Sequence, residues 1–311
     1  MTTPARVGLL FWSQTADWPA LRDAAARADA AGVSGIWTWD HLMPIVGPWE
    51  GPILEGWSVL AGLAQVTARA TLGLMVGANT FRNPGLTAKL VTTLDHLSGG
   101  RAILGIGGAW WEREHEAYGI DFGTGFGERL DRLDESVMLI RRLLDGERIA
   151  DHAGPVYRMH EALINPLPVQ ARLPIMIGGT GPTKTLRTLA RYGDQWNAMG
   201  RPDRLAESDA ILRRRCEEVG RDHTEIERST LVEIVIRSSR AEALAAYAER
   251  CAQLGMRYDE RRPLAGSPEE IREQAQPYFD IGFRHFIAAA PAPQDLETID
   301  RVGELIAVLN A

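Results

Sequence analysis

Short apolar runs alternate with helix-spaced amphipathic stretches eight times along this chain, and no single motif constrains the fold as much as that rhythm. It predicts strands over Val7–Trp12, Gly35–Trp39, Thr71–Gly77, Ala102–Ile106, Pro174–Gly178, Gln195–Ala198, Leu231–Ile236 and His285–Ala289. Between them it predicts helices over Asp17–Ala31, Glu55–Arg69, Pro84–Leu97, Gly127–Leu144, Thr183–Tyr192, Pro202–Val219 and Ala241–Leu254, and a last one over Leu296–Leu309. Gly32 reads as a C-terminal stop, and Ser267 followed by Pro268 as the cap and first turn of a further helix. Parallel strands need helical crossovers, so eight such units in 311 residues predict an α/β fold, a (β/α)8 TIM barrel, as a single domain over 1–311. Residues 145–173 and 255–264 break the rhythm and read as irregular insertions. A doubly wound sheet would carry G-x-G-x-x-G after its first strand. Here Ser13 and Gln14 follow that strand, and after the fourth Trp110 stands where the third glycine belongs.

Barrel enzymes work at the C-terminal ends of their strands, so those ends form a list of pocket residues. The fourth strand runs into Gly105, Gly107 and Gly108 and then into Trp110 and Trp111, a glycine floor followed by flat apolar surface suited to a planar ring. Asp40 and His41 close the second strand, and a histidine there can relay a proton or bond a ring substituent. The third strand passes through Met75, Val76 and Gly77 to Asn79, backbone that can support a cofactor from behind. After the fifth strand, Gly178-Gly179-Thr180-Gly181 precedes a helix, where converging N–H groups and the helix dipole suit a phosphate. Lys184-Thr185 gives that loop the look of a nucleotide-binding Walker loop, but Thr183 occupies the place of its second glycine. Trp12, Trp110, Trp111 and Trp196 are expected to wall the substrate side.

Other chemistries find no support. The strand ends are poor in the paired carboxylates that glycosidase work needs, and the sequence has no H-E-x-x-H metal motif and no G-x-S-x-G nucleophile elbow, so no metal site is expected. A net charge of −7 without basic runs argues against nucleic acid and against an anionic membrane surface as partners. No window is long and apolar enough for a membrane span, no signal peptide is visible, and Cys216 and Cys251 form no C-x-x-C. A cytoplasmic protein acting on a small molecule is the expectation.

Five segments together resemble the bacterial luciferase-like superfamily and, within it, the branch that uses the deazaflavin coenzyme F420. They are Ala31–His41, the Arg82-Asn83-Pro84 turn, Leu94–Gly119, Pro174–Gly181 and Arg191–Asn197. The resemblance implies a flavin or deazaflavin at the strand C-termini and a homodimer. It implies a non-proline cis peptide at Met75-Val76 pressing behind the ring, with Asp40 and His41 near the ring. It also implies a phosphate cup on the backbone of Gly178, Gly179 and Thr180, helped by Gly107 and Gly108. Sugar-phosphate dehydrogenases of this branch resemble one another in a carboxylate where this chain has Gly108, and many relatives have Asn in place of Trp111. The implied function is hydride transfer between F420 and a small organic substrate, with His41 as the catalytic residue. Its rivals are a monooxygenase using reduced FMN from a separate reductase, and a non-catalytic flavin binder.

Overall fold

A computed structural model of the protein describes residues 3–311. Its contacts divide into two compact units, one up to Thr71 with Met199–Leu205 and Arg228–Ala311, the other Leu72–Ala198 with Ala206–Glu227.

The first unit opens with β1 (Arg6–Phe11), α1 (Trp18–Ala31), β2 (Gly35–Thr38) and α2 (Gly56–Leu63). Asp17 caps α1 through its carboxylate, and Gly32 ends it in the left-handed conformation that a side chain would resist. The Asp29 carboxylate accepts the backbone N–H groups of Ala68, Arg69 and Ala70 at 2.9, 3.0 and 2.7 Å, tying the chain after α2 to α1.

The second unit carries β3 (Thr71–Leu74), β4 (Gly77–Ala78), α3 (Pro84–Ser98), β5 (Ala102–Gly107), α4 (Glu112–Tyr118) and α5 (Phe126–Leu144). A hairpin, β6 (Ile149–Ala153) with β7 (Arg158–Ala162), precedes β8 (Ile175–Gly178), α6 (Thr185–Tyr192) and β9 (Gln195–Ala198). Within this unit β3, β5, β8 and β9 form a parallel sheet in that order, with β4 also on β5. The run from 145 to 173 therefore holds an antiparallel hairpin where the sequence predicts irregular chain. Its strands are mostly exposed and show no apolar alternation to read.

After α7 (Pro202–Glu218) come β10 (Glu227–Ile236), α8 (Arg240–Gln253), β11 (Pro263–Gly266), α9 (Pro268–Phe279), β12 (His285–Ala290) and α10 (Leu296–Leu309). In the first unit β11, β10, β12, β1 and β2 pair in parallel in that order. Strand β11 begins in the last two residues of the stretch expected to be irregular and runs past it, its four buried residues too few to show a pattern beside Arg261 and Arg262. Ser267 and Glu270 close a reciprocal capping box at the start of α9, with Pro268 in the first turn. At the start of β12, buried His285 meets Ser34 Oγ at 3.0 Å and Arg6 at 3.4 Å. Burial, helped by Arg6, lowers its pKa to about 3.

Strands buried along nearly their whole length, such as β1, β5 and β12, are what a parallel sheet covered by helices requires. Cys216 and Cys251 are both buried and neither is in a disulfide. No helix among the described residues is long and apolar enough to cross a membrane.

Candidate functional site

In the second unit the site grows from a fault in the sheet. Gly73 pairs with Ile103 and Gly77 with Ile106, so Leu74, Met75 and Val76 face only Leu104 and Gly105. One extra residue makes this a bulge, and the Met75-Val76 peptide within it is cis, as the resemblance implied. The neighbouring strands make room for it. A Cβ on Gly105 would lie 1.8 Å from the Leu74 carbonyl oxygen, which no side chain could tolerate. A Cβ on Gly107 would lie 2.9 Å from Val76 Cγ2, and one on Gly178 would lie 2.8 Å from the same methyl. Gly107 and Gly178 thus form a shelf on which the Val76 side chain rests. Sequence reading gave these glycines to the ligand; the structure gives them first to Val76, a neighbour in space that no local pattern could announce.

The turn after β8 is anchored from β9. Gly179 N–H donates to the Asn197 carbonyl at 3.0 Å, and the Gly179 carbonyl accepts the Trp196 indole N–H at 2.8 Å. Gly179 sits at φ +113°, and a Cβ on Gly181 would press on Thr185 Oγ1 at 2.6 Å. Gly179 and Thr180 stand exposed in the turn that leads into α6. Lys184, the residue that gave the loop its Walker look, is instead committed to α5, where it donates to Gly127 O at 2.9 Å and Asp131 Oδ2 at 2.6 Å. Trp196 has no exposed surface, which corrects its expected place on the substrate wall: it holds the turn from beneath.

Beyond β5, Gly108 leaves room in which an added Cβ would meet Leu130 at 2.8 Å. Trp110 is 62% exposed and stacks on half-buried Trp111 with ring centroids 6.1 Å apart. Buried His115 on α4, a helix absent from the sequence expectation because it is short and mostly polar, fixes this loop. Its Nδ1 lies 2.9 Å from the Trp111 carbonyl and its Nε2 2.6 Å from Thr80 Oγ1, an arrangement met by Nδ1 donating and Nε2 accepting. Asn79 is buried beside Thr80. Its Nδ2 donates to the Tyr157 hydroxyl at 3.3 Å, and its Oδ1 meets no hydrogen-bond donor among the described residues. Neither His115 nor Tyr157 carried a signal in the sequence beyond its residue type.

In the first unit the ends of β1 and β2 carry the other expected residues. Buried Trp12 stacks on Trp39 at 4.4 Å, and Trp39 meets the half-buried His41 ring edge-on at 6.0 Å. Asp40 is buried between them in sequence. Trp12 Nε1 and Ser13 Oγ are buried without a partner among the described residues. Gln14 is a clamp: its Oε1 accepts from Ile45 and Val46 at 2.9 and 3.3 Å, and its Nε2 donates to Val46 O at 2.9 Å. Within the second unit, a buried acceptor on Asn79, the apolar shelf of Val76 and the glycine turn ahead of α6 suit a flat ring with a polar edge and an anionic tail.

This architecture defines a class, the (β/α)8 barrel. A solved F420-dependent secondary alcohol dehydrogenase, in complex with an F420-acetone adduct, shares the fold with a TM-score of 0.84 and 19% identity, over 99% of this chain and 100% of that one. The sequence pattern of luciferase-like monooxygenases matches residues 2–285, and the chain belongs to that family. An F420-dependent hydroxymycolic acid dehydrogenase of Mycobacterium tuberculosis is 33% identical over 227 residues, 71% of this chain and 60% of that protein. The chain thus spans less than two thirds of that relative's length. An F420-dependent glucose-6-phosphate dehydrogenase of Intrasporangium calvum is 29% identical over 90% of this chain and 91% of its own.

Proposed function

We propose that the protein is a coenzyme F420-dependent oxidoreductase acting on a small organic substrate. The observation that carries this reading is the Val76 bulge on its Gly107–Gly178 shelf, in a chain similar over nine tenths of its length to an F420-dependent dehydrogenase. When bound, the deazaflavin supplies the ring carbon that accepts or donates a hydride. The chain's own residues do the rest. Val76 and Met75 support the ring from behind, and Gly77 and Asn79 address its edge. The backbone of Gly178, Gly179, Thr180 and Gly181, with Gly107 and Gly108, receives the phosphate. Asp40 and His41 contribute to binding, and His41 is the group that relays the proton accompanying hydride transfer. Trp110 and Trp111 present apolar surface to the substrate and exclude water, while Trp12, expected beside them, is buried and braces Trp39.

Gly108 supplies no acid, which sets this chain apart from a sugar-phosphate dehydrogenase with a carboxylate there. The proposal includes a cytoplasmic homodimer, tested by light scattering for twice the chain mass of 34.2 kDa. The deciding experiment is an anaerobic titration with F420 and with FMN, oxidised and reduced, read by ring fluorescence or absorbance. Tight binding of the deazaflavin supports the reading. Preference for reduced FMN replaces it with an oxygen-dependent monooxygenase served by a separate reductase, and binding of neither refutes the cofactor assignment.

A further inference from the structure

The β6–β7 hairpin does more than extend the chain between α5 and β8. Its strands close on a turn in which Gly154 N–H donates to the Tyr157 carbonyl at 3.0 Å, and the turn is pinned to α5 by one side chain. Glu135 accepts from Val156 N–H at 3.1 Å and Tyr157 N–H at 3.2 Å, and its Oε1 lies 2.8 Å from His152 Nε2. Three contacts on one carboxylate hold the backbone of Val156 and Tyr157 after the turn and the His152 side chain before it. What they fix is Tyr157, whose hydroxyl reaches Asn79.

The Asn79 end of this chain of contacts is incomplete. A carboxamide offers two N–H donors and one carbonyl acceptor. Tyr157 takes a donor, while Oδ1 is buried with no partner among the described residues. A buried acceptor left unmade costs more than a typical bond gains, so such groups are kept where a ligand or water completes them. Asn79 begins the turn immediately after β4, three residues beyond Val76 of the bulge.

We propose that Tyr157 is a positioning residue: carried on the hairpin and locked by Glu135, it holds the Asn79 carboxamide so that Oδ1 is presented to an N–H or O–H donor on the edge of the bound ring. This rests on the reading of the bulge and its shelf as the ring-binding face. The pair selects for ligands with a donor at that edge, and the hairpin becomes part of the site although it contributes no residue that touches the ligand.

Two measurements on the full-length protein test it. The first is fluorescence titration with F420, and with FMN in parallel, of wild type, Tyr157→Phe, Asn79→Leu and the double variant. Loss of one neutral hydrogen bond corresponds to about a fivefold weakening, so Tyr157→Phe binds about fivefold more weakly and Asn79→Leu tenfold or more. Because Tyr157 acts through Asn79, the double variant binds no more weakly than Asn79→Leu alone. Wild-type affinity in Tyr157→Phe, or independent multiplying losses, overturns the proposal. The second needs no ligand: the Asn79 side-chain amide signals in NMR are expected to exchange slowly with water in wild type and to shift and exchange faster in Tyr157→Phe. Unchanged signals overturn the proposal as well. If wild type binds neither F420 nor FMN, the cofactor reading fails, and the amide signals still decide whether Tyr157 holds Asn79.

Discussion

Replacing Gly178 by alanine tests the shelf directly. The added Cβ would sit 2.8 Å from Val76 Cγ2 and 3.0 Å from Cγ1, whereas carbon atoms pack best at about 3.5–4.0 Å. Both methyls must move by several tenths of an ångström at once, so rotation of Val76 about a single bond does not relieve the contact. Overpacking of this kind costs about 1–3 kcal/mol, and we expect about 2 here. Removing the methyls repairs the fault, because Val76 Cβ itself would lie 3.5 Å from the new atom, an ordinary contact. Val76→Ala alone loses partly buried apolar surface and costs about 1 kcal/mol. The double variant should therefore lose about 1 kcal/mol, where two independent changes would lose about 3. Urea unfolding of the four proteins measures stability, and titration with F420 measures the site, where Gly178→Ala alone should bind more weakly than wild type. Additive losses in stability would refute the reasoning, since they would mean that Val76 does not occupy the space above Gly178.

Three further outcomes follow from other contacts. Trp196→Phe removes the indole bond to the Gly179 carbonyl and should cost about 1 kcal/mol in urea unfolding and about a fivefold loss of F420 affinity. Asp29→Ala leaves three backbone N–H groups without their acceptor and should cost about 3 kcal/mol. Burial raises the Asp29 pKa, but the three bonds outweigh it and the net shift is downward, so this contribution is present above the unfolded value near 3.8 and fades as pH falls through the lower folded one. His285 titrates with the opposite charge and the same sense of pH: its folded pKa of about 3 lies below the unfolded 6.5, so between these values the unfolded chain binds a proton that the folded chain refuses. Wild-type stability should fall by about 1.4 kcal/mol per pH unit through that window on this account, and His285→Gln, followed by thermal melts at several pH values, should flatten the slope.

Elements with local chemical punctuation were legible in the sequence. Asp17 and Gly32 bracket α1, Ser267 and Pro268 open α9, and the apolar runs at β1, β5 and β12 mark buried strands. Elements whose stability comes from elsewhere were not. The β6–β7 hairpin is mostly exposed and is held by Glu135 from another element, α4 is polar over much of its length, and β11 is four residues long beside charged neighbours. The same division runs through the site. Glycine-rich strand ends were legible because glycine density is local. Which atom fills each gap, Val76 above Gly107 and Gly178, is a fact of strand pairing that appears only after folding. Trp196 was legible as aromatic and near the turn, but its full burial, and so its role as a brace, depends on what packs around it.

The extra residue between Gly73 and Gly77 also has a mechanical consequence. Before the bulge, Leu72 and Gly73 pair with Ala102 and Ile103; after it, Gly77 and Ala78 pair with Ile106 and Gly107, an offset shorter by one residue. Strands that are apolar on both faces have little to stop them sliding along a neighbour, since a slip exposes no wrong side chain. Here a slide that kept one segment in step would throw the other out of step, and the Leu74 carbonyl seated against Gly105 would have to cross a position where any other residue has a Cβ. The irregularity that seats Val76 on its shelf therefore also acts as a ratchet pawl, holding β3 and β5 to a single alignment.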